Sequence, residues 1–235
     1  FSVDYAFMTR EGSVEMERVM KEVDKAGAIP ILVECDHRSK AVWAMATNTK
    51  GPTDSAVKRL TRKIDEAGCR GVKVVIKSDQ EESIIALKKA VAVMRQAPTV
   101  NIESPVRDSQ ANGNAERAVR TWAAQLRTMR HHMEFRMQQK IPIHSPLMTW
   151  LVSWAADVIC RYRVQDNGRT SYENVTGHKG LQPIAIFGEK VMFKFTSDKN
   201  IRRMMESEWD YGYFLGVNPG TTEYLIGTHD DVYSC

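Results

Sequence analysis

The order of strand-like and helix-like runs along the chain is the strongest constraint on the fold. Short apolar runs such as FSVDYAFM and GVKVVIK predict strands, while runs with apolar residues three and four apart predict helices. Up to about residue 140 the order is strand, helix, two strands, helix, strand, helix, strand, helix. A hairpin followed by helical crossovers predicts an α/β domain with a mixed sheet flanked by helices.

The predicted strands and helices of this region have recognisable ends. Gly27 and Gly68 end two helices, and Pro52 begins one. The predicted strands are residues 1–9, 29–34, 41–47, 72–77 and 99–103. The predicted helices are residues 12–26, 52–67, 82–96, 113–140 and 146–162.

The end of the chain has a different pattern. Residues 183–235 alternate short apolar strands with turn signals such as Asn218-Pro219-Gly220, which predicts a small β-barrel. We therefore expect a larger α/β domain over residues 1–165, a connecting segment over 166–182, and a small, partial β-barrel over 183–235. The apolar run at 146–160 is short and contains Asp157, so it predicts a buried helix and not a membrane span.

Composition excludes few classes of protein. Of the 235 residues, 43% are apolar and 26% are charged, which is typical of a folded domain and not of a disordered chain. The net charge of +4 permits a nucleic-acid partner without requiring one. The four cysteines are scattered without a C-x-x-C pair, which predicts free thiols in a reducing, intracellular compartment.

Three acidic residues stand where elements of the predicted sheet and helices meet. Asp4 lies in the first strand and Asp79 ends the fourth, with 74 residues between them. Glu116 stands at the start of a long helix, with 36 residues between it and Asp79. Converging carboxylates repel one another unless a divalent cation lies among them, and Mg²⁺ prefers such oxygen ligands. A pair of these ions activates the attacking oxygen at a phosphodiester. By spacing alone the triplet is weakly specific, since many acidic residues cap turns and helices.

A basic face accompanies Glu116 on that helix. On a helical wheel, Arg120, Arg127 and Arg130 lie within about 40° of Glu116. A solvated helix face is the commonest use of such residues, but phosphates must approach Glu116 in the proposed chemistry. We predict DNA contacts for Asn112, Arg117, Arg120 and Arg127, with Arg120 the strongest candidate.

Other polar and aromatic residues have structural explanations. A polar hairpin turn accounts for Asp36 and His37. The tandem His131-His132 lacks partners at metal-ligand spacing, which predicts a surface position. Trp150 and Trp154 are better explained as core or subunit contacts than as stacking platforms.

The residues around the acids resemble a known family. Asp4, Asp79 and Glu116, with QANGNAERAVRTW around the last, resemble the DDE signature of retroviral and LTR-retrotransposon integrases. Downstream, TSYENVTGHKGLQPIAIFGEKVMFKF and YGYFLGVNPGTTEYLIGT resemble the segment after the catalytic core in copia-type Pol polyproteins. The resemblance implies a ribonuclease H-like mixed five-stranded sheet flanked by helices, followed by a small SH3-like β-barrel. It also implies a zinc-binding module upstream of this sequence.

The same resemblance implies a function. It is metal-dependent 3′-end processing and DNA strand transfer, with two Mg²⁺ or Mn²⁺ ions held by Asp4, Asp79 and Glu116. The implied partners are the element's DNA ends, target DNA and further copies of the chain, without a membrane. The implied location is the nucleus and cytoplasm.

Two alternatives to an integrase stay open. The family often has Asp-Asn-Gly at the second carboxylate, whereas this chain has Asp79-Gln80-Glu81. That difference favours an inactive, retroelement-derived module that binds nucleic acid or protein. The second alternative is another ribonuclease H-like nuclease, such as one that cuts RNA in hybrids, whose products would be nicks without joined DNA.

Overall fold

The described residues form two compact units. The computed structural model describes residues 1–9, 14–16, 27–105, 113–180, 185–194, 208–218 and 221–235. The first unit comprises residues 1–131 and 140–180, and the second comprises 132–139 and 181–235.

The described residues before residue 180 form six strands and five helices. The strands are β1 (Ser2–Met8), β2 (Val14–Met16), β3 (Ile29–Cys35), β4 (Val42–Ala46), β5 (Val74–Ser78) and β6 (Thr99–Glu103). The helices are α1 (Asp54–Ile64), α2 (Glu82–Arg95), α3 (Gly113–Met137), α4 (Pro146–Tyr162) and α5 (Ser171–Thr176). A π-helical turn, Asp65–Cys69, continues α1 and contains Gly68 at a positive φ of 77°.

The sheet of the first unit is mixed. Its strand order is β4-β3-β1-β5-β6, and β2 pairs with the end of β1. The β1–β3 and β3–β4 pairs are antiparallel, whereas β1–β5 and β5–β6 are parallel. The predicted five-stranded mixed sheet flanked by helices is therefore confirmed.

The two faces of the central strand β1 lie in different environments. Val3, Tyr5 and Phe7 join the hydrophobic core that α1 and α2 form on one face of the sheet. Because side chains alternate along a strand, Asp4 points to the opposite face. Asp4 is nevertheless only 4% exposed. A carboxylate in the middle of the sheet is costly to bury and calls for an explanation.

One predicted helix is wrong, and the predicted connecting segment contains a short helix. The helix predicted for residues 12–26 is wrong at Val14–Met16, which pair with the end of β1 as β2, and its remaining residues lie outside the described part. Val14 and Met16 fit a strand period as well as a helix period, so pairing with β1 decided the outcome. The segment 166–182 contains α5, which a capping box between Thr170 and Glu173 begins.

Helices α3 and α4 pack through buried apolar side chains. Trp122 is fully buried and its indole N–H donates to the Val152 carbonyl over 3.0 Å. Trp154 is buried too, and α4 lies against β4. In the described part of the chain, no helix has the length and apolar character needed to cross a membrane.

The cysteines are free thiols, as predicted. Cys160 on α4 contacts β4 directly, since its Sγ accepts a hydrogen bond from the Val42 amide at 3.2 Å and donates to the Val42 carbonyl at 3.1 Å. Burial raises the pKa of Cys160 to about 12. The thiol therefore stays protonated and links α4 to the sheet.

The second unit is an antiparallel sheet of four strands in the order β10-β9-β8-β7. The strands are β7 (Lys190–Lys194), β8 (Trp209–Val217), β9 (Tyr224–Gly227) and β10 (Val232–Ser234). The rings of Phe193 on β7 and Tyr233 on β10 lie 5.6 Å apart. Contact between the two outermost strands means that the sheet is strongly curled, as the strands of a small barrel are.

Glu34 is another buried acid of the first unit. It pairs with Val3 and Trp43 on the core face of the sheet, and neither carboxylate oxygen has a hydrogen-bond partner among the described residues. Burial raises the pKa of Glu34 to about 7, against the opposing effect of Arg59 and Lys63. Because the folded-state pKa exceeds the ordinary value of 4.5, the contribution of Glu34 to stability is fully present below pH 4.5 and is lost as pH rises to about 7.

Replacing this carboxyl should therefore stabilise the protein in a pH-dependent way. We expect Glu34→Gln to increase the free energy of unfolding at pH 8 by on the order of 3 kcal/mol and to change it little at pH 4. Urea unfolding at both pH values measures the difference.

Glu66 provides a control of opposite sign. Burial alone would raise the pKa of Glu66, but Lys63 and Arg62 pair with it and hold the pKa below its ordinary value. Glu66→Gln should therefore destabilise the protein at pH 8. Equal effects of Glu34→Gln at both pH values would contradict the assignment.

Candidate active site

The parallel register of β1 and β5 sets two of the three predicted acids side by side. Ser2 pairs with Lys77, and both strands run in the same direction from there. Asp4 and Asp79 each follow this pair by two residues. The two carboxylates therefore lie at the same height along the strands and on the same face of the sheet, with Asp79 just beyond the end of β5.

The electrostatics of Asp4 identify its neighbours. Burial, together with the negative charges of Asp79, Glu81 and Glu116, raises the pKa of Asp4 to about 7. A hydrogen bond from the Tyr5 amide to Asp4 Oδ1, 2.8 Å long, acts in the opposite direction. Both other predicted acids therefore lie within electrostatic reach of Asp4.

The loop after β5 is held in place by hydrogen bonds. Asp79 Oδ1 accepts from the Glu81 amide at 3.2 Å, which closes a tight turn. Gln80 Nε2 donates to the Ser104 carbonyl at 3.1 Å, and the Ser104 amide donates to the Ser78 carbonyl at 2.8 Å. The residue at which this chain departs from the family pattern thus ties the Asp79 loop to the end of β6.

Glu81 is a fourth acid near Asp4 that the sequence interpretation did not include in the site. Its carboxylate forms an ion pair of 2.6 Å with Lys50, and the Lys50 ammonium lies 5.5 Å from the centre of the Phe7 ring. A carboxylate with its own cation is a weaker metal ligand than a free one. The sequence signal was present, since Glu81 is two residues from Asp79, but nothing in the sequence indicated Lys50.

The start of α3 is anchored to the hairpin between β3 and β4. His37 Nε2 lies 2.6 Å from Ser2 Oγ, and His37 Nδ1 lies 3.4 Å from Asn114 Nδ2 in the first turn of α3. Glu116 is half-buried one turn into this helix. His37 therefore helps position the helix that carries Glu116, a role that the sequence did not predict.

Asp36 has the structural role that the sequence predicted. Its carboxylate accepts hydrogen bonds from the Ser39 hydroxyl and from the amides of Arg38 and Ser39. Burial alone would raise the pKa of Asp36, but these bonds hold it below its ordinary value. Asp36 thus stabilises the turn as an anion.

Asp4, Asp79 and Glu116 interact electrostatically, but the described residues do not form an assembled metal site. Among the residues that the structure describes, no three His, Cys, Asp or Glu side chains are grouped so that they could hold a metal ion. The chemistry of the donors nevertheless fits Mg²⁺ or Mn²⁺, because all are carboxylates and the pKa of Asp4 is raised by like charges that a cation would compensate. Metal binding by Asp4, Asp79 and Glu116 stays a prediction.

The predicted DNA-contacting arginines lie on the outside of α3. Arg117, Arg120 and Arg127 are exposed, and Asn112 lies outside the described residues. Arg120 and Arg163 line a surface groove of about 610 Å³ between α3 and α4. Arg130, by contrast, donates to the Ile141 carbonyl at 3.0 Å and so supports the turn after α3. The exposed arginines are available to phosphates, and DNA contact stays a prediction.

The described fold resembles solved integrase structures. A chain of the simian T-cell lymphotropic virus intasome in complex with PP2A regulatory subunit B56 gamma superposes with a TM-score of 0.51 at 12% identity, covering 98% of this chain and 73% of that one. The catalytic core domain of BIV integrase gives a TM-score of 0.46 at 14% identity, covering 75% of this chain and 93% of that one. The HTLV-2 integrase catalytic core domain in complex with magnesium gives a TM-score of 0.45 at 10% identity, covering 74% of this chain and 93% of that one. Neither a protein-family model nor a curated protein matches the sequence.

The comparison with the intasome chain and the sheet topology define the class of fold. The first unit has a ribonuclease H-like α/β fold, and a four-stranded antiparallel sheet follows it.

The Gln80 contact generates a test of how the Asp79 loop is held. Gln80→Ala removes the donor to the Ser104 carbonyl and should lower the free energy of unfolding by about 1 kcal/mol. Gln80→Glu keeps the size but replaces the donor with an acceptor, so it should cost at least as much. Chemical denaturation measures both, and unchanged stability in the two variants would show that the contact is not formed in solution.

Proposed function

We propose that this chain carries out metal-dependent 3′-end processing and DNA strand transfer as the integrase of a copia-type LTR retrotransposon. The main support is the position of Asp4, buried on the central strand of a ribonuclease H-like sheet and acted on by the charges of Asp79 and Glu116. Convergent acids in this fold suit two-metal phosphodiester chemistry.

Each acid has a proposed role in holding two Mg²⁺ or Mn²⁺ ions. Asp4, Asp79 and Glu116 would together supply the carboxylate ligands of these ions. Such ions lower the pKa of an attacking water or 3′-hydroxyl and stabilise charge on the leaving oxygen. No histidine general base is then required.

The remaining residues position the DNA and the acids. Gln80 and His37 fix the Asp79 loop and the start of α3 through the contacts described above. The exposed arginines Arg117, Arg120 and Arg127 would bind phosphates without reading base edges. We therefore propose weak sequence preference and steep salt dependence for DNA binding.

Substitution of Asp79 tests the catalytic assignment. Asp79→Asn should abolish 3′-end processing and strand transfer, because the amide is a poor ligand for a divalent cation, while circular dichroism shows an intact fold. The assay uses a duplex with the element's terminal sequence, a plasmid target and Mn²⁺ or Mg²⁺. Gel analysis separates trimmed, joined and nicked products.

An exposed aspartate supplies the matched control. Asp54 pairs only with Lys58 in the described structure, at 3.4 Å on the surface of α1, and Asp54→Asn should retain full activity. Joining by Asp79→Asn at the wild-type rate would overturn the assignment. Nicked products without joined DNA would favour the nuclease alternative.

The inactive-module alternative also has an observation in its favour. Within the described ranges the acids are not assembled as a metal site, and Glu81 introduces a further charge beside Asp4. Metal binding without DNA separates the two functions. A protein that binds nucleic acid but no divalent cation would be the inactive module.

Thermal unfolding provides that measurement. At pH 8, millimolar Mg²⁺ or Mn²⁺ should raise the Tm of the wild-type protein by several degrees, because a ligand that binds only the folded state stabilises it. Asp4→Asn should lose this shift, whereas Glu34→Gln, on the opposite face of the sheet, should keep it. Equal shifts in the wild type and Asp4→Asn would exclude Asp4 as a ligand.

The proposed reaction implies further partners. The substrates are the DNA ends of the element and the target DNA, and we propose that several copies of the chain act together on two ends. The proposed location is the cytoplasm, where the element's DNA is made, and the nucleus, where target DNA lies.

A further inference from the structure

An exposed row of aromatic side chains follows β8 in the second unit. Trp209, Tyr211 and Tyr213 occupy alternate positions and are 51%, 56% and 46% exposed. Alternate residues of a strand lie on one face, about 7 Å apart. Three large rings therefore stand in line on the outer surface of the four-stranded sheet.

These rings lie outside the buried core of the unit. Gly212 and Phe214 are buried on the inner face of β8, and Phe214 packs against Tyr224 with ring centres 6.1 Å apart. A side chain at Gly212 would collide with Ile226, so the inner face is closely packed. The sheet thus has a filled inner face and an outer face rich in aromatic surface, an arrangement that marks an interaction site.

Lysines stand directly across from the aromatic row. In the β7–β8 register, Lys190 is opposite Tyr213, Met192 opposite Tyr211, and Lys194 opposite Trp209. The Lys190 ammonium lies 4.4 Å from the centre of the Tyr211 ring. Lys194 forms a surface ion pair with Glu208, in which both side chains stay largely exposed. The row is therefore flanked by cations on its β7 side.

We propose that this face binds unpaired bases of a single nucleic-acid strand. Aromatic rings stack on bases of any sequence, and neighbouring lysines bind the phosphates of the same strand. In a duplex the bases are stacked at about 3.4 Å and cannot reach a protein ring. Rings about 7 Å apart suit bases that have been separated from one another. This binding requires neither Asp4 nor a metal ion, so it is independent of the proposed catalysis.

Fluorescence anisotropy of the full chain in EDTA tests the proposal. The probe is a labelled 12-nucleotide DNA of mixed sequence, used as a single strand and as the annealed duplex. Trp209→Ala and Tyr211→Ala should each weaken single-strand binding by at least about fivefold and leave duplex binding unchanged. Trp209→Phe, which keeps a stacking ring, should retain most of the affinity.

An isolated exposed ring serves as the control. Phe135 also belongs to the second unit and is 73% exposed, and Phe135→Ala should leave single-strand binding unchanged. Quenching of tryptophan fluorescence by the single strand should be largely lost in Trp209→Phe, because Trp43, Trp122 and Trp154 are buried and Trp150 is half-buried in α4.

Three results would overturn the inference. One is wild-type affinity for the single strand in both alanine variants, and another is an equal loss of affinity for single strand and duplex. The third is a change in oligomeric state in Trp209→Ala, which would make the row a contact between copies of the chain. Absence of strand transfer in a wild-type protein that binds single strands would remove the proposed function but not this site.

Discussion

The parallel pairing of β1 with β5 is the constraint on which the candidate site depends. The pairing of Ser2 with Lys77 sets the register. It thereby fixes how far along the strands each following residue lies and to which face of the sheet its side chain points. A shift by one residue would turn Asp4 into the hydrophobic core and bring Val3 out of it. The core contacts of Val3, Tyr5 and Phe7 prevent that shift, so hydrophobic packing on one face of β1 determines the chemistry on the other.

The two buried acids of the sheet show how differently a carboxylate can be surrounded. Glu34 faces the cations Arg59 and Lys63, which reduce the effect of burial on its pKa. The charges that act most strongly on Asp4 are the anions Asp79, Glu81 and Glu116. An acid held among other acids is an arrangement that folding alone does not favour. The contrast within one sheet is the reason for assigning Asp4 to a site and Glu34 to the core.

Much of the fold followed from the sequence, because strong patterns carry it. The strand Thr99–Glu103 and the helix Pro146–Tyr162 have the predicted bounds, since each combines a clear period with turn or proline signals at its ends. At Val14–Met16 the local pattern fits both a helix and a strand, and only the pairing partner on β1 decides. Of the site, the positions of the acids were predictable, but Lys50 and His37 were not. Their contacts join residues dozens of positions apart, and no local pattern records such a contact.

The bond between Cys160 and Val42 has a practical consequence. Only a thiolate reacts readily with alkylating reagents, and a buried thiol with a pKa of about 12 supplies almost none while α4 remains against β4. Its rate of modification is therefore limited by how often the helix lifts away from the strand. The alkylation rate of Cys160, measured by mass spectrometry, therefore reports local opening of the first unit without an introduced label.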